Sequence, residues 1–282
     1  MKRLIINADD FGRHELINEA VEQAVETGIL RSATLMPGGR AFDSAVEIGR
    51  RHPELGVGIH FTLVNGYPIL PPAEIPSLVT EEGVFVDDHT AFVKKLIAGQ
   101  VNMQEVRAEL GAQLEKMQAT GLVLTHADSH QHMHTLPGVI NVVLDLVQQA
   151  GIRAVRLPKT PIFSGEFGGI GQMIGRMGLS TLAAMAGRKA KGRGLASPEH
   201  FAGIVAGEAV SEQFLAEIVQ KLQSGTTEVM MHPGTDNGRL VVETGWDHDF
   251  QAELTAMVSP KVKGLIEDHQ VELGNFASLQ SA

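Results

Sequence analysis

Short runs of Ile, Val and Leu recur along this chain, and between them the apolar residues change period. "RLIINA" (3–8), "SATLM" (32–36), "GVGIHFTL" (56–63), "LVLTHAD" (122–128), "RAVRLP" (153–158), "TEVMMHP" (227–233) and "VELGNF" (271–276) read as strands. Helical spacing fills 15–28, 41–51, 90–98, 103–119, 138–151, 211–223, 248–257 and 260–268. In the first of these, Leu16, Ala20, Val21, Ala24 and Val25 share one face, and Gly28 is placed to end the helix. Ser211 is placed to cap another. Strands joined through helices must run parallel, because each crossover returns the chain to the same end of the sheet. The expected fold is therefore α/β, with about seven parallel strands. The pattern alone leaves an open sheet and a closed barrel equally available.

No linker and no repeat of 20–50 residues interrupts the 282 residues, which are 43% apolar, so residues 1–282 read as a single domain. One segment breaks the rhythm. Residues 159–198 mix Met, Leu, Ile and Ala with Gly, and from Phe167 to Pro198 carry Arg176, Arg188, Lys189, Lys191 and Arg193 with no acidic residue. The whole chain has a net charge of −10, so this basic apolar insertion is a local reversal. It reads either as a peripheral membrane contact through 168–194 or as a lid whose charges are merely solvated. The acidic balance argues against a nucleic-acid partner. "MKRLIINADDFG" has too short an apolar run for a signal peptide, and no run reaches the ~20 apolar residues of a membrane span. The expected location is the cytoplasm, at the inner membrane surface if the basic segment binds it. An oligomer is allowed, but no interface is legible.

With no cysteine, any metal must be held by His, Asp or Glu. Such residues gather where the strands end. The first strand runs into Asn7, Asp9 and Asp10; the third carries His60; "THADSHQHMH" (125–134) supplies His126, Asp128, His130, His132 and His134; and "MMHPG" supplies His232. In parallel α/β folds the site forms at these C-terminal strand ends. Each residue has a plainer reading. The aspartates can cap the following helix, His60 can be a satisfied core residue, the other histidines can be surface groups, and His232 can belong to a turn. Taken together they suit a catalytic zinc site: two imidazoles and one carboxylate hold the ion, and a neighbouring carboxylate acts as general base. Asp9-Asp10 supplies both carboxylates, and His232 is available as a proton donor.

"NADDFG" (7–12), "GIHFTL" (58–63), "HADSHQHMH" (126–134) and "MMHPG" (230–234) resemble the motifs of the YdjC-like carbohydrate deacetylases, in order and across most of the chain. The resemblance implies a distorted (β/α) barrel, one divalent metal and removal of acetyl groups from N-acetylglucosamine-type sugars. It implies Asp10, His60 and His130 as metal ligands, Asp9 as the base and His232 beside the substrate amine. Asp128 would orient a ligand, and His126, His132, His134 and Arg156 would support the site or contact the substrate. "MPGGRAFDSAV" (36–46), "GYPILPPAEIPSLV" (66–79) and "LASPEHFAG" (195–203) look like the hopanoid-biosynthesis-associated branch, which implies an acetylated amino sugar linked to a polycyclic lipid. Zinc is the first expectation from ligand type; magnesium stays open. The rival readings are a metal-dependent phosphoesterase and a non-catalytic sugar- or metal-binding protein on the same scaffold.

Overall fold

The computed structural model describes residues 1–159, 170–204 and 209–279, and for 170–177 only the course of the helix. Seven strands are present among the described residues: β1 (Lys2–Phe11), β2 (Ser32–Leu35), β3 (Gly56–Phe61), β4 (Ala127–Ser129), β5 (His200–Ala202), β6 (Gly225–Met231) and β7 (Glu272–Leu273). The helices are α1 (Glu15–Glu26), α2 (Phe42–Arg51), α3 (His89–Ile97), α4 (Met103–Ala119), α5 (Val139–Gln149), α6 (Ile170–Gly192), α7 (Glu212–Gln220), α8 (Asn237–Thr244), α9 (Phe250–Met257) and α10 (Pro260–Asp268).

All strand pairs are parallel, in the order β4-β3-β2-β1-β6-β5. β1 is the centre. Its first half pairs with β6 and β7, its second half with β6 and β2. Leu4, Ile5, Ile6 and Ala8 are all buried, because both faces of the strand are covered. That is why the strands read as continuous apolar runs rather than as alternations. Ile17, Val21 and Ala24 of α1 belong to the same core as Leu4, Ile6, Ala33, Val57 and Ile59 from the sheet. The sheet curls into a half-barrel, so the fold is the α/β architecture expected, with the site end set by the C-termini of β1, β3, β4 and β6.

Several boundaries differ from the sequence reading. The strand expected over 122–128 pairs only as β4. Thr125 N–H still reaches Val57 O at 2.9 Å, but 122–126 adds no regular ladder. The strand expected over 153–158 is reduced to two single bridges, Ala127 to Val155 and Ala154 to Ala196. These extend the β4 edge without forming a stave. The strand expected over 271–276 shrinks to β7. β5 and α8 were not expected. α8 nonetheless carries ordinary stop and start signals: Asp236 accepts from Arg239 N–H, and Gly245 is left-handed at φ 67°. Ser211 does cap α7, accepting from Phe214 N–H at 3.3 Å. Gly28 does not cap α1, which ends at Thr27. A Cβ at Gly28 would lie 2.4 Å from Met257 O, so glycine there allows a close approach to the end of α9.

Of the expected insertion, residues 160–169 lie outside the described residues. α6 packs Ala183, Ala186 and Ala190 inward. Lys189 Nζ donates to Asn141 Oδ1 at 2.8 Å, and Arg193, just past the end of α6, pairs with Asp145 at 2.5 Å, so α5 engages both basic groups. Among the described residues no helix is long and apolar enough to cross a membrane.

Candidate active site

The site grows out of an irregularity in β1. Its register against β2 shifts between Ala8 and Phe11, and Asp10 takes a left-handed φ of 59°. A bulge of this kind re-aims consecutive side chains, and the two aspartates diverge. Asp10 turns toward β3 and β4, where His130 Nδ1 lies 2.8 Å and His60 Nε2 3.3 Å from its Oδ1. Asp9 turns toward Arg156, whose Nη1 and Nη2 each approach it at 2.6 Å. Asn7 Nδ2 donates to Asp9 Oδ1 at 2.9 Å, and His232 Nε2 at the end of β6 lies 4.0 Å from Asp9 Oδ2. His130 reaches the cluster because it directly follows β4, and the chain then turns away through two successive left-handed residues, Gln131 and His132.

Asp128 joins the two halves. Its Oδ1 lies 2.7 Å from His60 Nδ1 and orients the ring so that Nε2 faces Asp10. Its Oδ2 meets Arg156 at 2.5 Å. Arg156 also binds Glu228 on β6 through Nε at 2.6 Å. Four buried carboxylates, Asp9, Asp10, Asp128 and Glu228, thus face two guanidinium groups, Arg13 and Arg156. Uncompensated buried charge costs several kcal/mol per ion, so the cluster calls for further positive charge. Its titration reflects that. Burial alone would lower His60, but Asp128 and Asp10 overcome it and raise the imidazole to about 10. Burial pushes Glu228 up to about 7 although Arg156 opposes the rise. Burial would raise Asp10 too, yet His130 and Arg13 hold it well below the usual carboxylate range.

Asp10, His60 and His130 fit a divalent cation. Their ligating atoms lie within 4.8 Å of one another. Asp10 Oδ1 and His60 Nε2 are buried with no hydrogen-bond partner, although they lie 3.3 Å apart. Two imidazoles and a carboxylate with room for water are also the ligand chemistry of a catalytic ion.

The other expected residues spread around this centre. His134 accepts from or donates to Ser129 Oγ at 2.7 Å through Nδ1 and lies 3.0 Å from Arg156 O through Nε2, so it props the backbone that carries Arg156. His132 sits edge-on to Phe201 and to His134. His126 lies apart, its ring stacked 3.6 Å from Phe276 and its Nδ1 2.9 Å from Thr125 Oγ1. The sequence reading missed Arg13, which donates to Asp10 Oδ2 at 3.1 Å and contacts His130 Nε2 at 3.3 Å. It missed Glu228, whose signal was a lone charge inside an apolar strand. It also missed Glu253, buried behind His232. Glu253 accepts the His232 N–H and the Val210 N–H, with His248 Nε2 at 3.3 Å. Trp246 and His248 complete an aromatic group around the His232 ring.

A carbohydrate deacetylase of Brevibacillus brevis is 30% identical over 278 residues, covering 98% of this chain and 99% of that one. A carbohydrate deacetylase of Geobacillus stearothermophilus is 30% identical over 270 residues, covering 95% and 94%. Among solved structures, an Enterococcus faecalis protein described as a cellobiose-phosphate cleavage protein superposes with a TM-score of 0.75 at 25% identity, covering 98% of each chain. The family model described as YdjC-like protein matches residues 3–268, and the chain belongs to that family.

Proposed function

We propose that this chain is a metal-dependent hydrolase that removes the N-acetyl group from an N-acetylglucosamine-type sugar, working as a single catalytic domain. The observation that carries this reading is the divergence of two adjacent carboxylates. Asp10 is directed to two imidazoles, and Asp9 is held by Arg156 beside His232. The similarity to carbohydrate deacetylases along nearly the whole chain supports it.

In this reading Asp10, His60 and His130 hold one divalent ion, zinc by ligand type, with magnesium as the alternative. When bound, such an ion supplies Lewis acidity to the acetamide oxygen and lowers the pKa of water. Asp128 keeps the His60 Nδ1 proton in place, so the Nε2 lone pair stays available. Asp9 takes the proton of the water that adds to the acetamide carbonyl, while Arg156 and Asn7 fix its orientation. As the C–N bond of the tetrahedral adduct breaks, His232 delivers a proton to the departing nitrogen. Acetate and a free amine leave.

The motifs at 36–46, 66–79 and 195–203 support a narrower substrate, an N-acetylglucosaminyl hopanoid. The enzyme would then work at the inner membrane surface, and among the described residues the exposed Arg188 and Lys191 of α6 could face anionic lipid. The test is acetate release from N-acetylglucosaminyl bacteriohopanetetrol and from N,N′-diacetylchitobiose, each with zinc, magnesium or chelator, with an aryl phosphate as control. Metal-dependent release from the hopanoid alone supports the lipid-linked substrate. Release from chitobiose alone keeps the chemistry and removes the lipid. Phosphate release without acetate release overturns the reading.

A further inference from the structure

The chain has one Trp and one Tyr, and both are exposed, Trp246 at 40% and Tyr67 at 41%. Aromatic rings left in water forgo a large burial term, so two such rings beside one reactive cluster ask for a ligand. Trp246 follows α8 across the left-handed Gly245, and its indole meets the His232 ring edge-on at 4.9 Å. His248 stacks on one indole face at 3.9 Å and 18°. The exposed area therefore lies on the opposite face and the outer rim.

Tyr67 lines a cleft of about 180 Å³ whose lining also includes Arg13, the residue in contact with Asp10 and His130. Arg40 lies over the Tyr67 ring at 4.9 Å and pairs with Glu243 at 2.7 Å. Glu243 lies in α8 and Trp246 two residues beyond its end, so one helix carries the group that holds Arg40 over Tyr67 and leads into the residue that meets His232. A pyranose presents this combination in complement: a flat C–H face for an aromatic ring, and rim hydroxyls for groups such as Arg40 and Glu243.

We propose that Trp246 is the stacking surface for the pyranose whose acetamide reaches Asp9 and His232, and that Tyr67 with Arg40 contacts the unit attached to that sugar. The inference rests on the deacetylase reading above. Trp246 as the sole tryptophan makes the emission of the metal-loaded protein a probe of this one position. It would be titrated with N-acetylglucosamine and the two substrates named above, with acetate release followed in parallel. The expected result is a saturable emission change. Trp246→Ala should raise KM about tenfold with kcat preserved, and Trp246→Phe should recover most of that loss. Tyr67→Ala should raise KM for the two-unit substrates and leave the monosaccharide unchanged. An unmoved emission at sugar concentrations that saturate acetate release overturns the proposal. So does a Trp246→Phe or Trp246→Ala variant that loses kcat with KM fixed, since an indole that merely packs His232 would do that. A saturable emission change without acetate from any substrate overturns the deacetylase reading and keeps the platform; neither signal overturns both.

Discussion

Arg156 holds Asp9 by both arms of its guanidinium, Nη1 to Oδ2 and Nη2 to Oδ1, and both side chains are buried. The fork fixes the carboxylate plane and leaves Oδ2 as the oxygen nearest His232. The pairing also explains how two adjacent aspartates take separate work. One is committed to Arg156, the other to two imidazoles and to Arg13.

Asp9→Asn keeps the shape of the side chain and removes its basicity. Acetate release should fall roughly 10²–10⁴-fold, the span of general base catalysis. Metal content after desalting should match the parent protein. A fully active variant would remove Asp9 from the mechanism.

Arg156→Lys keeps the charge but loses the fork, and one ammonium cannot serve Asp9, Asp128 and Glu228 as three guanidinium nitrogens do. Turnover should drop on the order of 10-fold or more, with destabilisation of about 3 kcal/mol in urea unfolding, the scale for a broken buried ion pair. Unchanged stability would mean that the cluster does not need the three-way contact.

His60→Ala and His130→Ala each remove one of three proposed ligands and should lose metal in a desalting and elemental-analysis experiment. Asp128→Asn should retain metal with affinity lowered roughly 10–100-fold, since the amide supports the His60 tautomer poorly. Full metal content in both alanine variants would show that the ion sits elsewhere.

Glu228 sets a pH dependence for the metal-free protein. Its carboxyl is raised from 4.5 to about 7 by burial, with Arg156 opposing. Below pH 4.5 it is neutral in both folded and unfolded chains. Between 4.5 and 7 the unfolded chain releases a proton that the folded one retains, so this contribution to stability is lost as pH rises through 7. Glu228→Gln should therefore gain stability at pH 8 relative to pH 5, on the order of 1–2 kcal/mol against the parent. Parallel pH curves for the two proteins would sink the assignment.

His126 acts with the opposite sense. Burial lowers it to about 3, helped by Arg156, while Asp128 opposes. Its stabilising contribution is complete above pH 6.5 and is lost as pH falls toward 3, because the unfolded chain binds the proton first. His126→Leu should show a shallower loss of urea stability between pH 6.5 and 4. Part of the slope should remain, since burial lowers His134 to about 4 as well.

The sheet was legible where strands were long and buried on both faces, as in β1, β3 and β6. It was illegible where pairing was short. Three residues around Phe201 form β5 beside β6, whereas the more strand-like "RAVRLP" makes only single bridges. Which segment pairs is decided by its neighbours, not by its own propensity. The grouping of Asp10, His60 and His130 was readable because each ends or follows a strand in one parallel sheet. The Asp10 bulge, the hub role of Arg156 and the buried Glu228 and Glu253 were not. Each depends on contacts between residues at least 21 positions apart, such as Glu253 with His232.

β1, the strand that delivers Asp9 and Asp10, takes its partners β6 and β7 from positions beyond 224. These are contacts of high sequence separation, the kind that slow folding. As the chain leaves the ribosome, the strand bearing both aspartates must wait with one edge unpaired while more than two hundred residues are made. α1, α2 and β2 can gather around it earlier, but Asp9 and His232 come together only when β6 docks. Competence of the reactive centre is thus a late event in synthesis, and an incomplete chain would expose a long apolar edge in place of a partly working enzyme.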